Sequence, residues 1–85
     1  VRPGGAVVHA DLRQMRAEEA REALEQFFSA TILAGADQVR IIHGKGEGVL
    51  RKITHDFLRR HPQVASFEEA DADSGGQGAT IARLQ

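Results

Sequence analysis

The sequence predicts an α+β fold, a two-layer βαβαββ sandwich in which two helices cover one face of a small mixed sheet. The chain has 85 residues, enough for one domain with its own core. Two stretches have apolar residues at helical spacing, and four short β-branched stretches bounded by turn residues are typical of strands. Since crossover connections are right-handed, the first two strands should be parallel neighbours.

The first half of the chain predicts a strand and a long helix. Residues Val7 to Leu12 alternate and lack proline, which is typical of a strand. From Ala17 to about Ala34 the spacing is helical, and Gly35 is a natural C-cap. The apolar stripe of this helix contains Ala20, Leu24, Phe27, Phe28 and Ile32.

The second half predicts a strand at Gln38 to His43 and a helix from about Gly48 to Arg60, which His61-Pro62 ends. Val64 to Glu69 and Ala79 to Leu84 should form a hairpin across a turn-rich connection. The predicted stripe of the second helix is Leu50, Ile53, Phe57 and Leu58. The predicted core consists of the four phenylalanines of the chain together with Leu24, Ile32, Leu33, Leu50, Ile53 and Leu58.

Composition excludes several classes of protein. The chain has no cysteine, which rules out disulfides and thiolate metal sites and fits a reducing compartment. No apolar run is long enough to span a bilayer, so we expect no membrane partner. The first residue is not Met, so we expect a fragment in which residues 1–6 are a linker from an upstream region and residues 7–85 are the folded domain.

The charges are unevenly distributed. The formal net charge is −1, which alone argues against a nucleic-acid partner. Residues 40–61, however, hold six of the eleven Lys and Arg residues and only two of the twelve acids. This basic stretch indicates a polyanionic ligand, although a solvated helix face would have the same pattern.

A glycine-rich loop, His43-Gly44-Lys45-Gly46-Glu47-Gly48, joins the second strand to the second helix. Backbone N–H groups at such a loop and at a helix N-terminus attract phosphate, and Lys45 adds a cation. The glycines could equally form only a tight turn. The spacing matches neither a P-loop nor a dinucleotide fingerprint.

Parallel neighbouring strands would bring Asp11 and Arg13 to the same sheet edge as His43 and Lys45. A carboxylate, an imidazole and two cations are the groups needed for phosphodiester cleavage, and also for a plain phosphate-binding patch. Asp11 could instead only pair with Arg13 or Lys45, and His43 could be structural. One Asp and one His do not make a metal site unless phosphate and water complete the shell, so we predict no resident cofactor and at most a divalent metal held in that way.

The remaining histidines give weaker signals. His55 lies off the apolar stripe of the second helix and is expected to face solvent, or to extend a phosphate track with Arg51, Lys52 and Arg59. His61 is expected at the helix C-terminus, where a cation is favoured.

These motifs together resemble the Smr (small MutS-related) domain family, over His9 to Leu84. Ala10-Asp11-Leu12-Arg13-Gln14 is similar to its LDLRG motif, with Ala for Leu and Gln for Gly, and His43-Gly44-Lys45-Gly46 matches its HGxG motif. Gly75 to Thr80 resembles the family's tail. The sequence of the glycine-rich loop is most similar to that of the C-terminal Smr domain of bacterial type-2 MutS proteins.

The resemblance implies a fold like the C-terminal domain of the third bacterial initiation factor, and nicking of DNA or cleavage of RNA. It implies catalytic roles for Asp11, Arg13 and His43. Gln14, in place of the Gly of the motif, could change the turn after Arg13 and thereby the orientation of the Arg13 side chain toward a phosphate. The candidates for phosphate binding are Gly44, Lys45, Gly46, Gly48, Arg51 and Lys52.

The resemblance leaves two main functions open: a nicking endonuclease, or a non-catalytic module that docks on branched DNA or on structured or ribosomal RNA. A third is a protein-interaction tail. It also implies a longer cytoplasmic MutS-like ATPase, a homodimer that binds ATP outside this domain and acts in suppression of recombination or rescue of stalled ribosomes. The domain alone is expected to be monomeric.

Overall fold

A computed structural model of the chain describes residues 7–44, 48–70 and 78–85. All the predicted elements are present and in the predicted order. They are β1 (Val7–Asp11), α1 (Ala17–Ala34), β2 (Gln38–Ile42), α2 (Val49–Arg60), β3 (Val64–Glu69) and β4 (Ala79–Leu84). β1 and β2 each end one residue earlier than predicted, and α2 begins one residue later.

The sheet has the order β1-β2-β4-β3. β1 and β2 are parallel, as the crossover through α1 predicted, and Asp11 pairs with Ile42 at their shared end. β4 lies antiparallel between β2 and β3, so the last two strands form the predicted hairpin. The fold is therefore the predicted α+β sandwich, with a small mixed sheet and two helices.

The core lies between the helices and the covered face of the sheet. Phe28 of α1 is fully buried, and its ring meets Phe57 of α2 edge-on, with centroids 5.1 Å apart. The sheet contributes alternate residues, which is the period of two expected of a strand with one covered face. The other fully buried residues of this core include Ala10, Leu12, Ala20, Leu24, Val39, Ile41 and Ala82.

The prediction that Ile32 and Leu33 belong to the core is wrong. Their exposed fractions are 39% and 88%, whereas Thr31 is buried. A helix turns by about 100° per residue. Thr31 is therefore in line with Ala20 and Leu24, and Leu33 points to the opposite side. The buried Thr31 hydroxyl donates to the Phe27 carbonyl at 2.6 Å, which satisfies it within the helix.

The helix ends follow the sequence closely. Glu19 accepts the Arg16 N–H at 3.0 Å at the start of α1, and Gly35 ends that helix with a φ of 73°. His61 is the C-cap of α2, as predicted, and its ring also packs against Phe28 with centroids 5.2 Å apart. Neither described helix has the length and apolar character needed to cross a membrane.

Candidate functional site

The parallel ends of β1 and β2 bring two predicted motifs to one edge of the sheet. The Leu12 N–H donates to the Ile42 carbonyl at 2.7 Å, just past the last pair of the ladder. The chain leaves β1 toward Arg13 and leaves β2 toward His43 and Gly44. This edge is therefore where a shared site could form.

Asp11 and Arg13 form a fork-shaped ion pair at this edge. Arg13 Nε donates to Asp11 Oδ1 at 3.0 Å, and Arg13 Nη2 donates to Oδ2 at 2.8 Å. The backbone N–H of Arg13 also donates to Oδ1 at 3.0 Å. The side chains remain 48% and 60% exposed, so the pair is open to a ligand. Arg13, one of the two partners that the sequence left open for Asp11, is therefore observed beside it, and the other, Lys45, lies outside the described residues.

This pairing fixes the charge of both groups. The hydrogen bonds from Arg13 lower the pKa of Asp11, and the same contact raises the pKa of Arg13. Asp11 is thus a carboxylate at neutral pH, which suits it to orient water or to hold a cation. The ion pair uses only the Nε and Nη2 edge of the guanidinium, so it does not occupy the Nη1 N–H groups.

The turn after Arg13 is left-handed at Gln14, whose φ is 69°. The Met15 N–H donates to the Leu12 carbonyl at 3.1 Å and closes this turn. Glycine adopts such a φ without strain and glutamine does not. Gln14 therefore keeps a turn suited to the Gly of the resembled motif, at a cost in backbone strain.

Gly44 connects the two motifs. Its φ is +81°, and a Cβ built on it would lie 3.5 Å from Cγ of Arg13. Its N–H donates to the Gly78 carbonyl at 2.9 Å. Arg13 thus lies against the first residue of the glycine loop. Lys45 and Gly46 lie outside the described residues.

Gly48 is the N-cap of α2 and has a φ of +86°. The first turn of α2 contains no acidic residue, and within the described residues no side chain accepts a hydrogen bond from its N–H groups at the cap. The predicted helix N-terminus is present just after the loop.

His43 does not join Asp11. It is only 4% exposed and continues the buried alternation of Val39 and Ile41 on the covered face of the sheet. Asp11 pairs with Ile42, one residue earlier, and therefore points to the other face. The sequence predicted that parallel strand ends would gather the two side chains, but the one-residue offset separates them.

Both ring nitrogens of His43 have partners in the protein. Nδ1 is 3.0 Å from the Gly44 carbonyl oxygen, and Nε2 is 2.9 Å from Thr80 Oγ1. Burial, and secondarily the charge of Arg51, lowers the pKa of His43, although the Gly44 carbonyl works against this. His43 is thus a neutral imidazole beneath the exposed edge.

The expectation that His55 faces solvent is wrong. Its Nε2 is 3.0 Å from Thr80 Oγ1, and its ring centroid is 5.2 Å from that of Phe67. Burial, followed by the charges of Arg51 and His43, lowers the pKa of His55. The partner that draws it inward is Thr80 of β4, so the signal lay in a strand distant in sequence.

The basic stretch is partly neutralised. Arg51 pairs with Glu69 of β3, and Arg59 pairs with Asp56 at 3.1 Å. Lys52 is exposed, and no ion pair joins it to another residue that the structure describes. Lys52 is therefore the most available of the predicted cations on the described part of α2.

Within residues 7–44, 48–70 and 78–85, His, Asp and Glu side chains do not gather in threes as a metal site would require. Asp11 is the carboxylate at the exposed edge that could contribute a single ligand. A divalent metal held with phosphate and water stays a prediction.

The family of the chain follows from a direct comparison with known families. The model of the Smr domain matches residues 10–85. The chain belongs to the Smr domain family.

Relatives and solved structures agree with this assignment. The Smr domain described here is 42% identical to endonuclease MutS2 of Helicobacter pylori over 98% of the chain, and 48% identical to endonuclease MutS2 of Enterococcus faecalis over 88% of the chain. It spans only 11% and 10% of those two proteins.

Two solved structures share its fold. The crystal structure of the Smr domain of Thermus thermophilus MutS2 superposes with a TM-score of 0.89 at 35% identity, covering 92% of this chain and 98% of the other. The crystal structure of YdaL, a stand-alone small MutS-related protein from Escherichia coli, superposes with a TM-score of 0.86 at 27% identity. The superposition covers 98% of this chain and 66% of YdaL.

Proposed function

We propose that this Smr domain binds nucleic acid and nicks phosphodiester bonds, with DNA as its first substrate and RNA as a second. The observation that carries the proposal is the exposed Asp11–Arg13 pair, held beside Gly44 at the parallel strand ends. Relatives that bear the name endonuclease MutS2 support it, since they match nearly the whole chain.

Phosphate binding would use groups that the fold leaves available. The Nη1 N–H groups of Arg13 are not used by Asp11, and a guanidinium edge suits phosphate oxygens. The N-terminus of α2, which no side chain of the described residues caps, offers further N–H donors and the positive end of its dipole. Lys52, one turn into α2, would add a contact to a neighbouring phosphate. We retain Lys45 and Gly46 as loop contributors.

Hydrolysis needs a positioned water and stabilisation of developing negative charge. The ionised Asp11 carboxylate would orient the water, alone or through a divalent metal completed by phosphate and water. Attack of the water oxygen on phosphorus forms one P–O bond and breaks the bond to the leaving oxygen, and the proton that the water loses passes to solvent. Arg13 would stabilise the charge on the non-bridging oxygens.

His43 contributes from beneath this site. Its nitrogens are bonded to Gly44 and Thr80, so direct proton transfer to the leaving oxygen would require the imidazole to abandon both contacts. In the described arrangement solvent supplies that proton, and His43 shapes the start of the loop.

Nicking of supercoiled plasmid by the purified 85-residue chain tests the proposal, with and without EDTA. We expect open circles from the wild type and from Arg21→Ala, which removes an exposed cation of α1 that is not one of the predicted site residues. Arg13→Ala should lose about a hundredfold in rate, the usual cost of removing one donor to a developing oxyanion. No nicking by well-folded wild type would contradict the proposal.

A second candidate function is a non-catalytic module that docks on branched DNA or structured RNA. The observation that favours it is the burial of His43, because the single imidazole of the resembled motif is turned away from the exposed edge. Salt-sensitive binding without nicking, under conditions where the domain is folded, would select this function.

We extend the proposal to a longer protein, since the chain spans about a tenth of its MutS2 relatives. There it would act beside a MutS-like ATPase core, in a cytoplasmic homodimer, in suppression of recombination or in rescue of stalled ribosomes. Family membership supports this extension. Size-exclusion chromatography of the 85-residue chain should give a monomer, with dimerisation confined to the longer protein.

A further inference from the structure

A continuous series of hydrogen bonds runs from the glycine loop to α2 through three side chains. The Gly44 carbonyl oxygen is 3.0 Å from His43 Nδ1, and His43 Nε2 is 2.9 Å from Thr80 Oγ1. Thr80 Oγ1 is in turn 3.0 Å from Nε2 of His55. The series joins the end of β2, the start of β4 and the middle of α2.

One atom sets the direction of the whole series. A carbonyl oxygen only accepts, so His43 Nδ1 must carry the hydrogen that donates to Gly44. A neutral imidazole has a single N–H, so Nε2 of His43 is then an acceptor and the Thr80 hydroxyl donates to it. That hydroxyl has one hydrogen, and His55 Nε2 must therefore donate to Thr80.

Burial makes it costly to break any hydrogen bond of this series. Thr80 is fully buried and His43 nearly so, and a buried polar atom without a partner is costly. His55 is half-buried against Phe67, which holds its ring in place. A single set of hydrogen positions satisfies both ring nitrogens of His43, the Thr80 hydroxyl and Nε2 of His55.

We infer that Thr80 and His55 are positioning residues, which hold the His43 ring in the orientation that donates Nδ1–H to the Gly44 carbonyl. Gly44 is then fixed at both ends, since its own N–H donates to the Gly78 carbonyl at 2.9 Å. This clamp sets where the glycine loop leaves the sheet. It also keeps Gly44 against the side chain of Arg13.

The consequence for ligand binding rests on the proposed function. If the loop and Arg13 bind phosphate, a loosened Gly44 weakens binding without removing any group that touches the ligand. The loss should be about five- to tenfold in affinity, the usual effect of one buried hydrogen bond.

The tautomers can be read directly by ¹⁵N NMR of the histidine rings in the wild-type 85-residue chain. We expect His43 to be protonated on Nδ1 and His55 on Nε2 at neutral pH, with the His43 Nδ1–H protected from solvent exchange. This measurement needs no variant and does not depend on any activity. Protonation of His43 on Nε2 would overturn the inference.

Two substitutions then separate the hydroxyl from its surroundings. Thr80→Val keeps the shape of the side chain and removes the donor, whereas Thr80→Ser keeps the donor. We expect Thr80→Val to abolish the exchange protection of the His43 Nδ1–H, to mix the tautomers of His55 and to weaken DNA binding about five- to tenfold. Thr80→Ser should restore all three.

Unchanged His43 exchange and unchanged His55 tautomers in a folded Thr80→Val chain would contradict the positioning role. His55→Phe provides a second arm that keeps the ring against Phe67 and removes the donor to Thr80. Its His43 Nδ1–H should also lose protection, and full protection would contradict the role of His55. Wild type that shows the expected tautomers but neither binds nor nicks DNA would refute the proposed function and leave the clamp standing.

Discussion

The Asp11 carboxylate and the His43 imidazole lie on opposite faces of the sheet, although their strands end side by side. The hydrogen bond from the Leu12 N–H to the Ile42 carbonyl joins the two strand ends at 2.7 Å. Because Asp11 pairs with Ile42, His43 is one residue out of step with it. This edge of the sheet therefore has an exposed ion pair, Asp11–Arg13, on one face and a buried imidazole, His43, on the covered face. Gly44 contacts both, because it lies against Arg13 and its carbonyl accepts from His43.

Gln14→Gly should stabilise the domain. Gln14 has a φ of 69°, and a side chain at such a φ costs about 1 kcal/mol or more. Glycine relieves this strain but gains freedom in the unfolded chain, so we expect a net rise of about 0.5–1 kcal/mol in the free energy of unfolding. Urea denaturation measures it. A lower unfolding midpoint than that of wild type would show that the turn is not strained.

Thr54→Val should also stabilise the domain. Thr54 is fully buried in α2, and its hydroxyl has no hydrogen-bond partner within the described part of the chain. Valine has the same shape without the polar atom, so we expect a gain of about 1 kcal/mol in unfolding free energy. Thr31→Val is the matched control, since that buried hydroxyl donates to Phe27. A gain in both variants, or in the control alone, would argue against this explanation.

Stability should fall as the pH drops below about 6.5. Burial lowers the pKa of His43 and of His55 below their ordinary value of 6.5, so the unfolded chain binds more protons than the folded chain in that range. The free energy of unfolding therefore decreases as the pH falls from 6.5 toward the lowered pKa values of His43 and His55 in the folded chain. The facing charges of Arg51 and Arg59 strengthen the effect on His55, and Asp56 opposes it.

Chemical denaturation at several pH values between about 5 and 7.5 measures this slope, above the range in which Asp and Glu titrate. His55→Gln keeps a donor for Thr80 and removes one titrating group, so its slope should be shallower than that of wild type. A flat profile for wild type would contradict the burial of both rings.

Lys52→Ala should weaken DNA binding and reduce its salt dependence. Each phosphate contact contributes about 0.9 to the slope of log affinity against log salt on duplex DNA. We therefore expect the slope for Lys52→Ala to fall by roughly that amount, and the slope for Arg21→Ala, on the acidic α1, to be unchanged. Equal losses in the two variants would indicate only a general charge effect.

Local signals predicted the fold from the sequence. The bounds of α1, β3 and β4 are confirmed as predicted, because helical spacing, Gly35 and the turn-rich connection mark them clearly. The parallel pairing of β1 and β2 followed from the helix that connects them, since a helical crossover returns the chain in the same direction. Ile32 and Leu33 were misplaced because the stripe was extended by one more turn, while Thr31 takes the inward position.

The sequence predicted where the site lies, but it did not predict how the side chains of the site are placed relative to one another. Motif positions identified the strand ends, and the Asp11–Arg13 pair was among the alternatives. The buried alternation of Val39 and Ile41 is a local signal that places His43 on the covered face of the sheet. The position of His43 beside Asp11, one residue out of step, depends on the register of β1 against β2, which spacing within one strand does not give. The position of His55 depends on Thr80, which lies 25 residues further along the chain and which local spacing also cannot reveal.

The rate at which Asp11→Asn converts supercoiled plasmid to open circles tests most directly whether the exposed edge cuts. Asparagine keeps the size of the side chain and removes the charge that orients water and pairs with Arg13. We expect nicking to fall about a hundredfold, while DNA affinity is equal to or higher than that of wild type because Arg13 is released. Nicking by Asp11→Asn at the wild-type rate would contradict a catalytic role for this edge of the sheet.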